Sequence, residues 1–487
     1  MKLSELIRAI DHSYQGDTEI TDITDDSRNV TPGSLFICIR GRETDGHGYC
    51  DRAVQMGAAA IVAEVGVTLP CGIDVPVFFV PCTRAARTAL LGKYYGALSE
   101  KIRIIGVTGT NGKTSTVSIL DAVFRRAGYK TGTIGTLACR IGDEIIFSPS
   151  AGSHSYTTPD SATLHRIISK MEREGVEYLF MEVSSHALAE GRLAGLGFFI
   201  GIFTNLSVEH LDYHENMEEY FKAKSRLFDI SQIKLFNIDD KYGDLLVRVY
   251  PHSYSYGKSE KAVFSAVRVN MLGEKGINYL LRGRGGAIGI NSPLVGEFAL
   301  YNTLAAASAA LLSGIAPEYI SSAISCLSTI DGRMERVEGP KNRPTVFIDY
   351  AHTPDAMRSV LNSVRGFRGE GQRITVLFGC GGDRDRSKRA EMGRIATALA
   401  DLTVITSDNS RNEPPEQIFR DIMKGIDREK PYTLIPDRRE AVRYAIESSA
   451  PGDVVLLCGK GHEKYEIDIS GKHPFDEVSL VREILGN

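Results

Sequence analysis

The sequence predicts an α/β protein of three domains: a small N-terminal α/β domain, a central parallel sheet with a mononucleotide-binding phosphate loop (P-loop), and a C-terminal doubly wound, Rossmann-like domain. Short apolar runs of β type alternate with helical segments along the chain, as in mostly parallel sheets. One such run opens into a glycine-rich loop that leads into a helix. The 487 residues fit about three domains at roughly 100–200 residues each.

The composition indicates small-molecule partners and no nucleic acid. Lys and Arg number 57 against 61 Asp and Glu, a net charge of −4, and no basic run interrupts that balance. The eight cysteines form neither a C-x-x-C pair nor a zinc-ligand spacing, which is typical of a reducing compartment. The sequence shows no signal peptide and no apolar stretch near the ~20 residues of a membrane span. We expect a cytoplasmic protein without a membrane span, and we expect a monomer.

The first predicted domain covers residues 1–98. Strands are expected at 34–39, 60–64 and 75–80, and an alanine-rich helix at 84–98. This alternation predicts a small α/β unit ahead of the glycine-rich loop.

The P-loop opens the central domain, predicted at residues 99–331. The β run of Ile102, Ile104 and Ile105 leads into Gly109-Thr110-Asn111-Gly112-Lys113-Thr114-Ser115, and a helix is expected at 117–127. Such a loop offers backbone N–H groups and a lysine to phosphates and a hydroxyl to Mg²⁺. The strict motif has glycine where this chain has Val107. The strand before the loop and the helix after it still favour ATP or GTP binding over a plain glycine turn.

An acid ends the next strong β run of the central domain. Glu182 follows the apolar residues 178–181 in a strand expected at 178–183, and another strand is expected at 199–203. Because parallel strands present their carboxyl ends at one edge of a sheet, Glu182 is placed to reach a metal ion held by Thr114. A solvent-exposed glutamate at a strand end is the alternative.

Two further features of the central domain are compatible with metal chemistry. His210 and His214 have the spacing of a zinc pair, but the zincin glutamate and a third ligand are missing from the sequence, so this stays open. Lys224 falls on an apolar helical stripe formed by Met217, Tyr220, Phe221, Leu227 and Phe228. Either its stem covers apolar surface with the charge in water, or the lysine is chemically altered, because a buried amine loses its proton readily and then reacts.

The third predicted domain, residues 332–487, repeats the strand–loop–helix alternation. Strands are expected at 345–348, 374–378, 402–406 and 454–458. Ligands bind beyond the carboxyl ends of such strands. Arg384 and Arg411 follow two of them, with the loop Gly459-Lys460-Gly461-His462-Glu463 alongside, and two arginines can hold a carboxylate as bidentate partners. We therefore predict a pocket for a charged amino acid, although singly each arginine is compatible with a plain surface position.

The chain resembles the Mur ligases over essentially its whole length. The motifs that carry the resemblance are, in chain order, Asp26-Ser27-Arg28, Pro32-Gly33-Ser34-Leu35-Phe36, the P-loop, Thr157-Thr158-Pro159-Asp160, Met181-Glu182-Val183-Ser184-Ser185-His186, His210-Leu211-Asp212-Tyr213-His214, Ala223-Lys224, Tyr301-Asn302, Asp349-Tyr350-Ala351-His352-Thr353-Pro354, Gly379-Cys380-Gly381-Gly382-Asp383-Arg384, Asp408-Asn409-Ser410-Arg411 and Gly459-Lys460-Gly461-His462-Glu463. Within the family, the pattern is similar to the members that add the third residue of the peptidoglycan stem peptide.

The resemblance implies a reaction and its cofactors, ATP and Mg²⁺. ATP would phosphorylate the free carboxylate of UDP-N-acetylmuramoyl-L-alanyl-D-glutamate, and the amine of meso-diaminopimelate would attack the acyl phosphate to give the amide, ADP and phosphate. Lys113 would neutralise the migrating phosphoryl group, while Thr114 and Glu182 would hold the first Mg²⁺. A second metal ion would lie near His210 and a carbamylated Lys224, since carbamylation converts a buried cation into an anion.

The resemblance also assigns residues to each substrate. The UDP-sugar peptide would be bound by Ser27, Arg28, Thr157, Thr158, Ser184, Glu190 and Arg192. ATP would be bound by the P-loop with Asn302, Arg333 and Asp349, the last two from the third domain, so domain closure would complete the site. The incoming amino acid would be bound by Arg384, Asp408, Asn409, Ser410, Arg411, Gly459 and Glu463.

Three positions depart from the common family pattern. At three positions where this chain has Ala299, Glu190 and Ser410, the family often has asparagine, glutamine and proline, respectively. A proline would fix the backbone φ at position 410, in the loop that directs the Arg411 side chain, and Ser410 does not. The alternatives are a lysine- or ornithine-adding ligase, a folylpolyglutamate synthase, and a catalytically silent nucleotide-binding homologue. About 100 residues precede the P-loop, which disfavours the folate enzyme, and the intact P-loop and candidate metal ligands disfavour the silent homologue.

Overall fold

The structure is a computed structural model that describes residues 1–41, 44–70, 72–148, 157–211, 213–283 and 285–486. These residues form three sheets and one hairpin. Strands and helices alternate through all three sheets, which confirms the predicted α/β class. None of the helices in these ranges combines the length and apolar character needed to cross a bilayer.

The first sheet is parallel and follows chain order. Its strands are β1 (Asp22–Thr24), β2 (Ser34–Ile37), β3 (Ala58–Glu64) and β4 (Val77–Val80). The accompanying helices are α1 (Leu3–Ile7), α2 (Cys50–Gln55), α3 (Thr83–Tyr95) and α4 (Leu98–Lys101). The helix predicted at 84–98 ends earlier than expected, because Gly96 takes a left-handed φ of 76° and breaks it.

The second sheet is parallel at its centre and antiparallel at both ends. Its strand order is β15-β14-β13-β12-β11-β10-β5-β9-β6-β7-β8, and the strands from β13 to β6 in that order run parallel. The strands are β5 (Arg103–Thr108), β6 (Thr131–Ile134), β7 (Cys139–Ile141), β8 (Glu144–Phe147), β9 (Tyr178–Glu182), β10 (Phe198–Phe203), β11 (Ser231–Asn237), β12 (Tyr254–Gly257), β13 (Phe264–Met271), β14 (Ile277–Gly283) and β15 (Gly286–Ser292).

Helices cover the faces of the second sheet. They are α5 (Lys113–Arg126), α6 (Ser161–Arg173), α7 (Ser185–Ala189), α8 (Met217–Asp229), α9 (Lys241–Val249), α10 (Glu297–Leu312) and α11 (Pro317–Ser325). Apolar side chains of α5 and the alanine-rich α10 join one core with strands β5, β9 and β10. That core fixes the P-loop at the start of α5 and Asn302 on α10 relative to each other.

The third sheet has the order β16-β17-β21-β18-β19-β20, in which only β16 among these strands runs antiparallel to its neighbour. The strands are β16 (Glu335–Val337), β17 (Thr345–Asp349), β18 (Ile374–Phe378), β19 (Leu402–Ile405), β20 (Tyr432–Leu434) and β21 (Val454–Cys458), and β22 (Tyr465–Asp468) with β23 (Gly471–Pro474) forms a hairpin. The helices are α12 (Pro354–Phe367), α13 (Ser387–Leu399), α14 (Pro415–Met423), α15 (Arg438–Glu447) and α16 (Glu477–Leu485). The loops after β17, β18, β19 and β21 therefore share one edge of the sheet.

Candidate active site

Glycine is required at two positions of the P-loop. Gly109 has a φ of 151° and Gly112, the N-cap of α5, a φ of 87°. A Cβ on Gly109 would stand 1.9 Å from Thr204 Oγ1, and one on Gly112 would stand 2.4 Å from Asn302 Oδ1. The predicted helix at 117–127 begins earlier, at Lys113, so the first N–H groups of α5 belong to the loop itself. These groups lack intrahelical partners, which suits them to phosphate oxygens.

Lys113 folds back over the P-loop. Its Nζ donates to the carbonyls of Gly109 at 2.9 Å and Thr110 at 2.8 Å. Burial lowers the pKa of Lys113, and the nearby Glu209 and Glu182 carboxylates oppose that shift. The Lys113 side chain therefore holds its Nζ over the loop whose N–H groups can bind an anion.

Glu182 and Thr114 form an oxygen-rich pair beside the P-loop. Glu182 ends β9 and is only 2% exposed, so the solvent-exposed alternative is wrong. Its Oε2 accepts from Thr114 Oγ1 at 2.9 Å, and Thr136 donates to Oε1 through its N–H and to Oε2 through its hydroxyl. Arg333, from the loop before β16, donates to Thr114 Oγ1 at 3.3 Å. Hydroxyl and carboxylate oxygens are the donors that Mg²⁺ prefers, so these residues fit that ion.

Lys224 is buried beneath the P-loop. It is 1% exposed, its Nζ donates to Gly109 O at 2.8 Å, and the Tyr220 ring centroid lies 4.6 Å away. Burial, reinforced by the Lys113 charge, lowers the pKa of Lys224 well below its ordinary value. Because the amine is out of contact with water, the interpretation in which its charge reaches solvent is wrong. These surroundings disfavour the charged form of the amine.

His210 and Glu209 lie between the P-loop region and the third sheet. His210 has a left-handed φ of 57°, and burial lowers its pKa to about 4. Glu209 Oε2 lies 3.6 Å from His210 Nε2, and its Oε1 lies 3.5 Å from His352 Nε2. Burial opposes ionisation of Glu209, but His352, His210 and Lys113 outweigh it and lower its pKa. Glu209 was not predicted from the sequence, although its place directly before His210 was a usable signal.

Within the part of the chain that the structure describes, no third side chain joins His210 and His214 to form a zinc site. His214 is buried, and its ring lies 5.0 Å from the Tyr220 ring and 5.8 Å from the His186 ring. Within the described ranges, no group of three or more His, Cys, Asp or Glu side chains is arranged to hold a metal ion. Asp212 of the same motif lies outside the described residues.

Several residues predicted for the UDP-sugar peptide lie together beside Glu182. Thr158 Oγ1 donates to Glu182 O and accepts from Ser184 N, and Thr158 O accepts from Arg192 Nη1. Glu190 Oε2 accepts from Arg192 Nε at 2.8 Å. Thr157 adjoins this group, since its Oγ1 accepts from Thr136 Oγ1 at 3.2 Å.

Ser27 and Arg28 belong to the first sheet's loops, in a 3₁₀ turn after β1. Ser27 is buried, whereas Arg28 is exposed and pairs with Asp26 at 2.6 Å. Two arginines of α3 join this region to the group just described: Arg84 donates to Glu190 O, and Arg87 donates to both Asp25 Oδ2 and Gly191 O.

The remaining predicted ATP residues, Asn302, Arg333 and Asp349, come from three places: α10, the loop before β16 and the end of β17. Asn302 of α10 is buried against Gly112. Asp349 ends β17 and accepts from the backbone N–H groups of Met334 and Ala351, and burial raises its pKa. The Arg333 guanidinium stacks on the Tyr350 ring at 4.8 Å. Arg333 therefore links the third sheet to Thr114 of the P-loop.

The predicted amino-acid residues meet where the loops after β18, β19 and β21 converge. Arg411 has a left-handed φ of 53°, and its Nη1 donates to Gly382 O at 2.8 Å and Asn409 O at 3.2 Å. Asn409 Nδ2 donates to Glu463 Oε2 at 2.8 Å. Ser410 and Gly459 are buried within the same loops, while Arg384 is exposed.

Lys460, which was not predicted as a site residue from the sequence, lies buried among the charged groups of these loops. Lys460 is fully buried, donates to Asn409 Oδ1 at 2.6 Å and lies 3.3 Å from Asp408 Oδ1. Burial opposes ionisation of Asp408, but Lys460 and Arg438 lower its pKa to about 2. Burial and the Asp408 charge raise the pKa of Glu463. The two carboxyl groups therefore differ in acidity, as a site that handles an amine requires.

Family models match most of the chain. The model described as Mur ligase middle domain matches residues 107–310, and the Mur ligase glutamate ligase domain matches residues 332–461. The model described as Mur ligase family, catalytic domain, matches residues 19–83.

Similar proteins match the chain almost end to end. The UDP-N-acetylmuramoyl-L-alanyl-D-glutamate–2,6-diaminopimelate ligase of Geobacillus thermodenitrificans is 42% identical, covering 96% of this chain and 95% of the relative. The protein of the same name from Bacillus licheniformis is 41% identical and covers 99% of each. A solved structure with that enzyme name superposes with a TM-score of 0.69 at 30% identity, covering 100% of this chain and 99% of the other.

Proposed function

The chain belongs to the Mur ligase family, and we propose that it is the ATP-dependent ligase that adds meso-diaminopimelate to UDP-N-acetylmuramoyl-L-alanyl-D-glutamate in peptidoglycan precursor synthesis. The observation that carries this proposal is the shared border of the P-loop and the third sheet, where Arg333 contacts Thr114. A nucleotide and an amino acid bound on either side would meet there. The names of the full-length relatives support the choice of amino acid.

The phosphoryl-transfer half of the reaction is assigned to the P-loop region. Lys113 and the N–H groups of α5 would bind the terminal phosphates, and Arg333 would add positive charge as the phosphoryl group moves to the D-glutamyl carboxylate. Thr114 and Glu182 would hold Mg²⁺, which when bound supplies charge neutralisation. Asn302 and Asp349 would position the rest of the nucleotide. Thr158, Ser184, Glu190 and Arg192 would orient the UDP-sugar peptide, with Thr157, Ser27 and Arg28 at its border.

The amide-forming half is assigned to the third sheet. Arg411, with Arg384 at the rim, would bind the distal carboxylate of diaminopimelate, and Asp408, Asn409, Ser410, Gly459 and Glu463 would surround the rest of the molecule. An anionic Asp408 beside a less acidic Glu463 suits an incoming ammonium group that must lose a proton before it attacks.

Lys224 is proposed to act as a carbamate. Burial lowers the pKa of the Lys224 amine and so favours its uncharged form, which is the form that reacts with carbon dioxide. The nitrogen bonds to the carbon of carbon dioxide and loses a proton to solvent, and the resulting carbamate anion together with His210 would hold a second metal ion near Lys113.

A single assay tests the proposed function. Phosphate release is measured with ATP, Mg²⁺ and the UDP-muramoyl dipeptide against a panel of amino acids, and we expect turnover to require all components and to be much faster with meso-diaminopimelate than with lysine. Turnover with lysine at least as fast as with diaminopimelate would contradict the choice of amino acid. Phosphate release independent of any amino acid would contradict ligation. We propose that the enzyme acts in the cytoplasm, where ATP and nucleotide-activated sugars are available; a monomer without nucleic-acid partners stays a prediction.

A further inference from the structure

A buried ion pair lies beneath the two loops that carry Arg411 and its backbone partners. Arg389 of α13 is fully buried and Glu413 nearly so. The guanidinium donates to both carboxylate oxygens, from Nη1 to Oε1 and from Nη2 to Oε2, each at 2.8 Å. This is a bidentate, charge-assisted contact of fixed geometry.

The pair is bonded to the backbone of both loops. Arg389 Nη2 also donates to Gly381 O at 3.1 Å, and Glu413 Oε2 accepts from Asp383 N at 3.3 Å. Glu413 N donates to Ser410 O at 3.0 Å. One ion pair therefore ties the loop after β18 to the loop after β19.

The side chain of Arg411 spans the same two loops. Its Nη1 donates to the carbonyl of Gly382, which belongs to the first loop, while its own backbone belongs to the second. The loops approach so closely that a Cβ on Gly382 would stand 1.9 Å from Ser410 O. Asp383 and Arg411 both have a φ of 53°, a conformation that non-glycine residues keep only when their surroundings enforce it.

We propose that Arg389 and Glu413 are positioning residues that set the direction of the Arg411 guanidinium and thereby the selectivity for an amino acid with a second carboxylate. The proposal rests on the function proposed above. Stability alone is a weak reason for the pair, because the desolvation of two buried charges offsets most of their attraction. The bidentate contact between the Arg389 guanidinium and the Glu413 carboxylate fixes the orientation of both side chains, which an apolar pair of similar volume does not do.

Two variants separate positioning from stability. Arg389→Lys keeps the charge but loses the fork, and the double variant Arg389→Met/Glu413→Leu replaces the pair by apolar side chains, an exchange that often preserves folding. Asp421 Oδ2, which also accepts from Arg389 Nη1 at 3.1 Å, loses that contact in the double variant, while Asp421 Oδ1 keeps its contacts to Gln417 and Lys424. Arg394→Lys is the matched control, because Arg394 lies on the same helix and pairs with Glu391 at the surface. For each protein we measure the KM for diaminopimelate, ATP and the UDP-dipeptide, the diaminopimelate-to-lysine selectivity, and the melting temperature.

We expect both variants to raise the KM for diaminopimelate and to lower the diaminopimelate-to-lysine selectivity. Each effect can reach ~100-fold if the Arg411 guanidinium is displaced by about 1 Å. The KM values for the other two substrates stay unchanged, as do all values for Arg394→Lys.

If the folded double variant has the wild-type KM for diaminopimelate, or if Arg389→Lys raises all three KM values equally, the positioning role is overturned. Should the double variant fail to fold, the Arg389→Lys values alone decide. A wild-type enzyme without diaminopimelate-dependent phosphate release overturns the proposed function and this role together, whereas unchanged variants of an active enzyme overturn only this role.

Discussion

The P-loop and the amino-acid loops are shaped by different means. The P-loop takes its shape from glycines at two positions and from the helix that begins at Lys113. The amino-acid loops take theirs from buried charged side chains, Lys460 under Asp408 and Arg389 under Arg411, whose partners lie tens of residues away. A backbone-determined site tolerates changes in its surroundings, while a site built on side-chain pairs is tunable by single substitutions. We therefore expect catalysis to depend on the first region and substrate choice on the second.

The largest effect is expected at the P-loop. Lys113→Ala removes the cation that Gly109 and Thr110 hold over the loop, so charge on the transferring phosphoryl group is no longer balanced. Losing one such electrostatic contact costs roughly 10²–10³-fold in kcat, and we expect the upper end here. Phosphate release at saturating substrates checks this. Undiminished turnover would contradict the P-loop assignment and, with it, the contrast between the two regions.

Lys224→Ala tests whether the P-loop region needs a buried anion. We expect kcat to fall on the order of 100-fold, as it does when a residue that supports a metal site is mutated. Activity should recover in part when short carboxylates are added, because they can occupy the vacated position. Lys222→Ala, an exposed lysine of the same helix that pairs with Glu219, is the control and should behave as wild type. Wild-type activity in Lys224→Ala would leave this lysine only a packing role.

Arg411→Ala tests substrate choice in the second region. A hydrogen bond to a charged group contributes about 1.5–3 kcal/mol, so kcat/KM for diaminopimelate should fall roughly 10- to 100-fold. Lysine lacks the second carboxylate, and its kcat/KM should stay the same or improve. Competition assays with both amino acids give the ratio directly. Equal losses for both substrates would show that Arg411 serves the common end of the molecule.

The same contrast explains what was predictable from sequence. Four strands of the third sheet, β17, β18, β19 and β21, and the Thr114–Glu182 pair could be predicted, because continuous apolar runs mark buried strands and both residues stand at element ends. The short strands β16 and β20 were not predicted. The antiparallel strands β14 and β15 were not predicted, although β13, β14 and β15 follow one another in the chain and pair locally, so the alternating buried side chains of β14 were a usable signal. Lys460 and Arg389 were not predicted because their partners, Asn409 and Glu413, are brought close only by the fold. Glu209 was also not predicted, although it directly precedes His210, because its contact with His352 likewise depends on the fold.

The smallest effect is expected for Ser410→Pro, which gives the loop the residue that the family often carries. Neither Asn409 nor Ser410 has a left-handed φ, so a proline ring meets no conflict of that kind. A compatible proline stabilises by about 0.4–1 kcal/mol through the unfolded chain, which thermal unfolding would measure. The KM for diaminopimelate should stay unchanged, because Glu413 N and the Arg389 fork already fix this loop. A marked fall in that KM would mean that local chain stiffness, and not the buried ion pair, limits how well Arg411 is aimed.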